Sequence, residues 1–214
     1  MIPDATPPVR RWYPVALVSL AASASLAAFH ALPPFMVVHW DLGGIPNGWL
    51  PRAVGAAILP VLLAFVASTL PVRRLREHGT PASRERIVPG VLALLFVTHL
   101  MVLAVNLGVR VPMDRAAMII VGGMFIVVGR ALPLAPASAA MGVRTPWTLS
   151  SDRVWHRTHL LAGQAMAVCG AVMIASAVLL PVAVAMPVMV AAMVASVVAP
   201  SAYSWLTWKR ESRK

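Results

Sequence analysis

The sequence predicts an all-α, polytopic integral membrane protein with six transmembrane helices, both termini in the cytoplasm and no β-sheet domain. Three observations carry that prediction. The 214 residues are 59% hydrophobic and 12% charged, with a mean hydropathy of +0.80, whereas a water-soluble domain carries about a quarter charged residues. Six apolar runs have the roughly 17 to 25 residues that an α-helix needs to cross a bilayer. The basic residues, finally, crowd into every second connecting segment. Disordered and collagen-like chains are excluded by the same figures, since the 19 Pro and 13 Gly follow no period.

The first run covers residues 13–32, behind Arg10 and Arg11. A basic pair before an apolar stretch also resembles a secretory signal, but this stretch is longer than a signal core, and the reading keeps it as a span. Pro33 and Pro34 end it, because proline lacks the amide donor and constrains the residue before it. The second run is 53–70, the third 87–107 and the fourth 116–134. The fifth, 158–180, and the sixth, 184–205, flank Pro181 and read as a tight helical hairpin. Pro60, Pro89, Pro187 and Pro200 lie within or near runs, where proline kinks a membrane helix without abolishing it.

Direction follows from the cations, which stay on the cytoplasmic side. With the N-terminus inside, the inner segments hold Arg10, Arg11, Arg73, Arg74, Arg76, Arg84, Arg86, Arg130, Arg144, Arg153, Arg157, Lys209, Arg210, Arg213 and Lys214, while the outer ones hold Arg52, Arg110 and Arg115. That distribution accounts for the net charge of +11 without any polyanionic partner, so no direct nucleic-acid binding is expected. The resulting segments are a tail (1–12), spans 1 and 2 with an outer loop (13–71), an Arg-rich inner loop (72–86), spans 3 and 4 (87–134), an inner motif segment (135–157), spans 5 and 6 (158–206) and a basic tail (207–214). Trp12, Tyr13, Trp40, Trp49, Trp147, Trp155, Tyr203, Trp205 and Trp208 fall at span ends or in loops, as interfacial aromatics do.

Two polar segments remain for chemistry. The outer one, LPPFMVVHWDLGGIPNGWLPR over 32–52, combines an extended stretch, Val37 to Trp40, with the turn formers Pro46, Asn47 and Gly48. Its chemical groups are His39, Asp41 and Arg52. They read as an Asp41–Arg52 ion pair with His39 hydrogen-bonded in the loop, as an anchor for recognition at Asp41, or as part of a metal site with His30 and His99. The spacing matches none of the strong zinc patterns, and no metal or other cofactor is assigned.

The inner one, MGVRTPWTLSSDRVWHRTH over 141–159, carries two helix starts, Thr145 before Pro146 and Ser150 or Ser151 before Asp152. The fifth helix is expected to begin near residue 151 and to enter the membrane near Thr158. Asp152, Trp155, His156 and His159 then share one side of it. With Arg144, Arg153 and Arg157 nearby, the segment reads either as a folded cap or as a site for a phosphate or carboxylate. No nucleophile with an adjacent base is evident, so no catalytic residue is assigned and the protein is not expected to be an enzyme. Inside the spans, His99, Asn106 and Gln164 read as interhelical hydrogen-bonding groups. Met186, Met189 and Met193 read as packing or lipid contacts, Cys169 as a small apolar residue, and Gly122 with Gly123 as a place of close helix approach.

The inner segment resembles the SdpI family of bacterial membrane proteins, whose hallmark matches Gly142, Val143, Arg144, Thr145, Pro146, Trp147, Thr148 and Leu149, followed by Trp155, Thr158 and His159. The outer loop independently resembles a small domain of unknown function that often precedes this module, through Pro34, His39, Trp40, Asp41, Gly44, Pro46, Asn47, Gly48 and Arg52. The resemblance implies a multi-pass protein of the bacterial cytoplasmic membrane. Its characterised member confers immunity to a secreted toxic peptide and also holds a transcriptional repressor at the membrane. By that resemblance the candidate binding residues are Arg144, Thr145, Pro146, Trp147, Thr148, Trp155, Thr158 and His159 inside. Outside they are His39, Trp40, Asp41, Gly44, Asn47 and Arg52, with Trp49 prominent in the same loop; His99 and Asn106 are set apart as polar groups within the spans. Expected partners are membrane lipid, a peptide toxin outside and a repressor inside. The alternative is a transporter or lipid-modifying protein that binds an anionic head group at the inner Arg/His cluster.

Overall fold

The computed structural model describes residues 12–69, 81–135 and 142–212. In chain order the elements are α1 (Trp12–Ala28), β1 (Phe35–Trp40), β2 (Pro46–Pro51), α2 (Arg52–Thr69), α3 (Pro81–Asn106), α4 (Met113–Ala131), a 3-10 turn (Leu132–Leu134), α5 (Pro146–Leu149), α6 (Asp152–Leu179) and α7 (Val182–Glu211). Four of the helical segments are long and apolar enough to cross a membrane: Ile87–Asn106, Met113–Leu134, Asp152–Leu179 and Val182–Glu211. Trp12–Ala28 and Arg52–Ser68 are apolar but shorter. Helices continue through Pro60, Pro89, Pro187 and Pro200. Helix α3 begins at Pro81, within the segment 72–86 read as an Arg-rich loop; residues 70–80 lie outside the described ones.

The expectation of helices alone is corrected by a two-stranded antiparallel sheet in the segment between α1 and α2. The chain divides into two compact units, Met1–Val72 with Val88–Ile120, and Arg73–Ile87 with Val121–Lys214.

In the first unit α1, α2 and α3 share two buried apolar clusters. Ala21, Leu63 and Leu92 form one buried cluster, flanked by Leu17, Val66 and Phe96. Leu32, Met36, Ala56, Val102 and Leu103 form another beneath the hairpin, flanked by Phe29, Trp40 and Leu59. A polar layer joins the three helices. His99 Nε2 lies 3.1 Å from the Ala21 carbonyl and 3.1 Å from Ser25 Oγ, while the Ser25 hydroxyl donates to the Ala56 carbonyl at 2.7 Å. Since the Ala21 carbonyl only accepts, Nε2 carries the proton of the imidazole.

In the second unit α6 and α7 form the expected antiparallel pair around Pro181. The buried seam of α7 runs through Ala185, Met189, Ala192, Ser196, Pro200, Ser204 and Thr207, a helical repeat of mostly small residues that lets backbones approach. Its serines keep their hydroxyls satisfied on their own helix, as Ser196 does by donating to the Met193 carbonyl at 2.7 Å. Helix α4 meets α6 through paired glycines two turns apart. A Cβ on Gly122 would lie 2.7 Å from the Gly170 carbonyl oxygen, and one on Gly129 would lie 2.6 Å from that of Gly163. Any side chain there would push the two helices apart. Close approach was expected at Gly122, but its counterpart is Gly129 on the same face.

Candidate functional site

The two motif segments fold into separate structures, one in each unit. The hairpin forms because Val37 and its neighbours favour extended backbone and the five residues from Asp41 to Ile45 reverse the chain. Asp41 organises the reversal. Its Oδ1 accepts from the amides of Gly43 at 2.9 Å and Ile45 at 2.8 Å, and its own amide donates to the Ile45 carbonyl at 2.9 Å. Gly44 has φ of +77°, which a side chain disfavours, and a Cβ there would lie 2.9 Å from the Asp114 amide nitrogen. On the strands, His39 Nδ1 pairs with Asn47 Oδ1 at 2.5 Å, and Gly48 sits opposite His39 where a Cβ would come within 2.8 Å of the His39 Cβ.

Asp41 and Arg52 do not form the ion pair that the sequence suggests. Asp41 is used by its own loop, and Arg52 ties the start of α2 to the end of the first helical segment. The Arg52 amide donates to the Pro34 carbonyl at 2.8 Å, its Nε to the Pro33 carbonyl at 3.3 Å, and its guanidinium lies 5.6 Å from the centre of the Phe29 ring. Asn106 departs from the expected helix-to-helix role. From the last turn of α3 its Oδ1 accepts from the Val37 amide at 2.8 Å, and its Nδ2 donates to the Val37 carbonyl at 2.9 Å and the Val102 carbonyl at 2.8 Å. One carboxamide thereby supplies β1 with the donor and acceptor that a third strand would provide. Trp40 is half-buried and Trp49 is 54% exposed.

The second motif folds into a cap on α6 and α7. Thr145 is the N-cap of the single-turn helix α5 and forms a reciprocal capping box with Thr148, with Pro146 at the first helical position. Buried Thr148 is the hub. Its hydroxyl accepts from the Thr145 amide at 2.8 Å and donates to the Val143 carbonyl at 2.8 Å. His159, also buried, closes the same loop from α6. Its Nδ1 donates to the Trp155 carbonyl at 2.8 Å, which leaves Nε2 free to accept from the Val143 amide at 2.9 Å. The Trp155 ring stacks on the imidazole at 3.9 Å between centroids, and its Nε1 donates to the Ala135 carbonyl at 3.1 Å. Gly142 has φ of +116°, and a Cβ on it would overlap the His159 ring.

Trp147 anchors the cap to α7, donating from Nε1 to Ser204 Oγ at 2.7 Å with its ring 6.5 Å from that of Trp208. Ser151 caps α6, where its hydroxyl oxygen accepts from the Val154 amide at 3.3 Å, and it donates to Glu211 Oε2 at 3.2 Å. Arg153 stands 3.9 Å from the same carboxylate.

The inner set expected from the sequence therefore splits. Thr145, Thr148, Trp155, Thr158 and His159 build or fill the cap, with Thr158 fully buried and its hydroxyl without a partner among the described residues. Arg144, Pro146, His156 and Arg157 are exposed. Ser25, Ser204 and Glu211 escaped the sequence reading. A serine in a small-residue helix carries no local mark of the histidine it meets 74 positions later. Glu211 did carry a signal, as the only acid in the basic tail. Among the described residues no group of three or more His, Cys, Asp or Glu is arranged to hold a metal ion.

Comparison with known proteins follows this division. Residues 134–204 match the SdpI/YfhL protein family, and residues 16–64 match a domain of unknown function, DUF1648. The chain is 26% identical over 160 residues to the "Immunity protein SdpI" of Bacillus subtilis (strain 168), covering 74% of this chain and 77% of that protein. No solved structure matches. The cap and the helices beneath it thus fall within the stretch similar to the SdpI/YfhL family, and the hairpin with most of its flanking helices within the stretch similar to DUF1648.

Proposed function

We propose that this is an immunity protein of the bacterial cytoplasmic membrane, acting by binding and without catalysis against a secreted antimicrobial peptide. The observation that carries the reading is the similarity to the Bacillus subtilis immunity protein over 160 residues, three quarters of either chain. In this reading the chain crosses the membrane six times, α1 and α2 included, with both termini inside. The hairpin, displaying Trp49, faces the peptide outside, and the cap, displaying Arg144, faces the cytoplasm, where it would hold a transcriptional repressor. The cation distribution supports that direction.

Two measurements test it. Deleting the gene in its host and challenging with peptides secreted by the parent strain should lower survival, and the wild-type gene on a plasmid should restore it. Unchanged survival together with altered lipid species would favour the head-group reading instead. Alkaline phosphatase fusions should be active at Gly44 and Arg110 and inactive at Gly79, Gly142 and the C-terminus; activity at Gly142 would overturn the topology.

A further inference from the structure

The outward ridge of α6 runs through Leu160, Gln164, Val168 and Val172 at intervals of four residues, each step turning about 40° around the helix, so neighbouring side chains along the ridge are in reach of one another. All four are exposed, the apolar ones by 46%, 63% and 42%. Valine and leucine on such a ridge suit lipid. A carboxamide does not. Gln164 lies roughly 9 Å along the helix beyond Thr158, near which α6 is expected to enter the membrane, and its carboxamide makes no hydrogen bond among the described residues. Hydrocarbon offers a carboxamide neither donor nor acceptor, so a polar side chain at this depth is stabilised by a partner on another helix.

The chemistry of the group selects the partner. Copies of one membrane protein share one orientation, so residue 164 sits at the same depth in every copy. A two-fold axis along the membrane normal then brings Gln164 against itself, an isologous contact in which each residue meets its own counterpart. A carboxamide carries both a donor and an acceptor and is complementary to itself, as neither an arginine nor a carboxylate is. Leu160 and Val168, about one turn to either side of Gln164, and Val172 a turn further on, supply the apolar contact.

We infer that this protein associates with a second copy of itself through the Leu160–Val172 ridge of α6, with Gln164 hydrogen-bonded to Gln164 across the two-fold axis.

The full-length protein, labelled for energy transfer and diluted in vesicles of phosphatidylethanolamine and phosphatidylglycerol, tests this directly. Wild type should self-associate, and Gln164→Leu should weaken association about 3- to 20-fold, the range of interhelical hydrogen bonds in bilayers. Gln164→Asn should retain most of it, and thermal unfolding of both variants should match wild type. Geometry is read separately by oxidation. Gln164→Cys with Cys169→Ser should form a disulfide-linked dimer, whereas native Cys169, about 140° around the helix from residue 164, should not. A monomeric wild type, equal association of Gln164→Leu, or linkage through Cys169 in place of residue 164 would each overturn the inference.

Discussion

The hairpin and the cap solve the same problem, holding an irregular stretch of backbone against a helix bundle, in opposite ways. In the hairpin the polar groups that hold the turn are exposed, as with Asp41 and the His39–Asn47 pair, and Asn106 reaches in from a helix. In the cap the organising groups, Thr148 and His159, are buried, and each serves the same short stretch around Val143. Water reaches a lost partner readily in the first case and less so in the second, where the organising side chains are themselves sealed from solvent although the backbone they serve is half-buried. Equivalent substitutions should therefore cost more in the cap, and that difference is open to measurement.

The largest effect is expected at His159. Replacement with leucine leaves the half-buried Val143 amide without its acceptor, strands the Trp155 carbonyl that Nδ1 served and unstacks the Trp155 ring around a fully buried position, and should cost about 3 kcal/mol, mostly from lost packing. Thermal unfolding in detergent, followed by tryptophan fluorescence, reads it. His159→Gln, which keeps a side-chain acceptor, should recover part of the loss. Gly142→Ala should act in the same direction, because the new Cβ meets the imidazole and the backbone conformation is disfavoured for alanine. If both variants unfold like wild type, the cap is not held by His159.

Asn106→Leu comes next, at about 1 to 3 kcal/mol. It removes three hydrogen bonds, but Val37 is only half-buried, so water can take up part of the demand. A smaller effect, about 1 kcal/mol or less, is expected for Asp41→Ala, whose two amide partners lie in an exposed turn. Hydrogen exchange should show Gly43 and Ile45 losing protection while α2 keeps it. A larger effect at Asp41 than at His159 would reverse the contrast between the regions.

How far each region could be read from sequence follows the same line. Local signals were legible. Thr145-Pro146 marked a helix start and Ser151-Asp152 another, and both caps stand where those residues put them. The apolar runs located the helices, although α1 and α2 are shorter than the four membrane-length segments. The hairpin was half visible, as an extended stretch plus turn formers, but the strong helical signal on both sides hid a sheet of only two strands. Pairings distant in the chain were not legible. Nothing near Asn106 tells that its carboxamide will serve Val37, and the charges of Asp41 and Arg52 suggested an ion pair because sequence shows charge and not direction.

The smallest stability effects are expected at two exposed residues of the motif segments, Arg144 in the cap and Trp49 in the hairpin. Both are exposed, and substitution with alanine should change unfolding by less than about 0.5 kcal/mol, as surface changes do. That small number gives the pair its value. An exposed residue of a connecting segment whose loss leaves the fold intact is placed for recognition. Arg144→Ala and Trp49→Ala should therefore lower survival in the peptide challenge at wild-type protein levels, with Trp49→Ala acting on peptide protection and Arg144→Ala on any cytoplasmic response. The contrast sharpens if His159→Gln, partly destabilised but with Arg144 intact, protects better than Arg144→Ala. If Arg144→Ala and Trp49→Ala protect fully, the two motifs serve folding alone, and the surface that meets the peptide lies elsewhere on the chain.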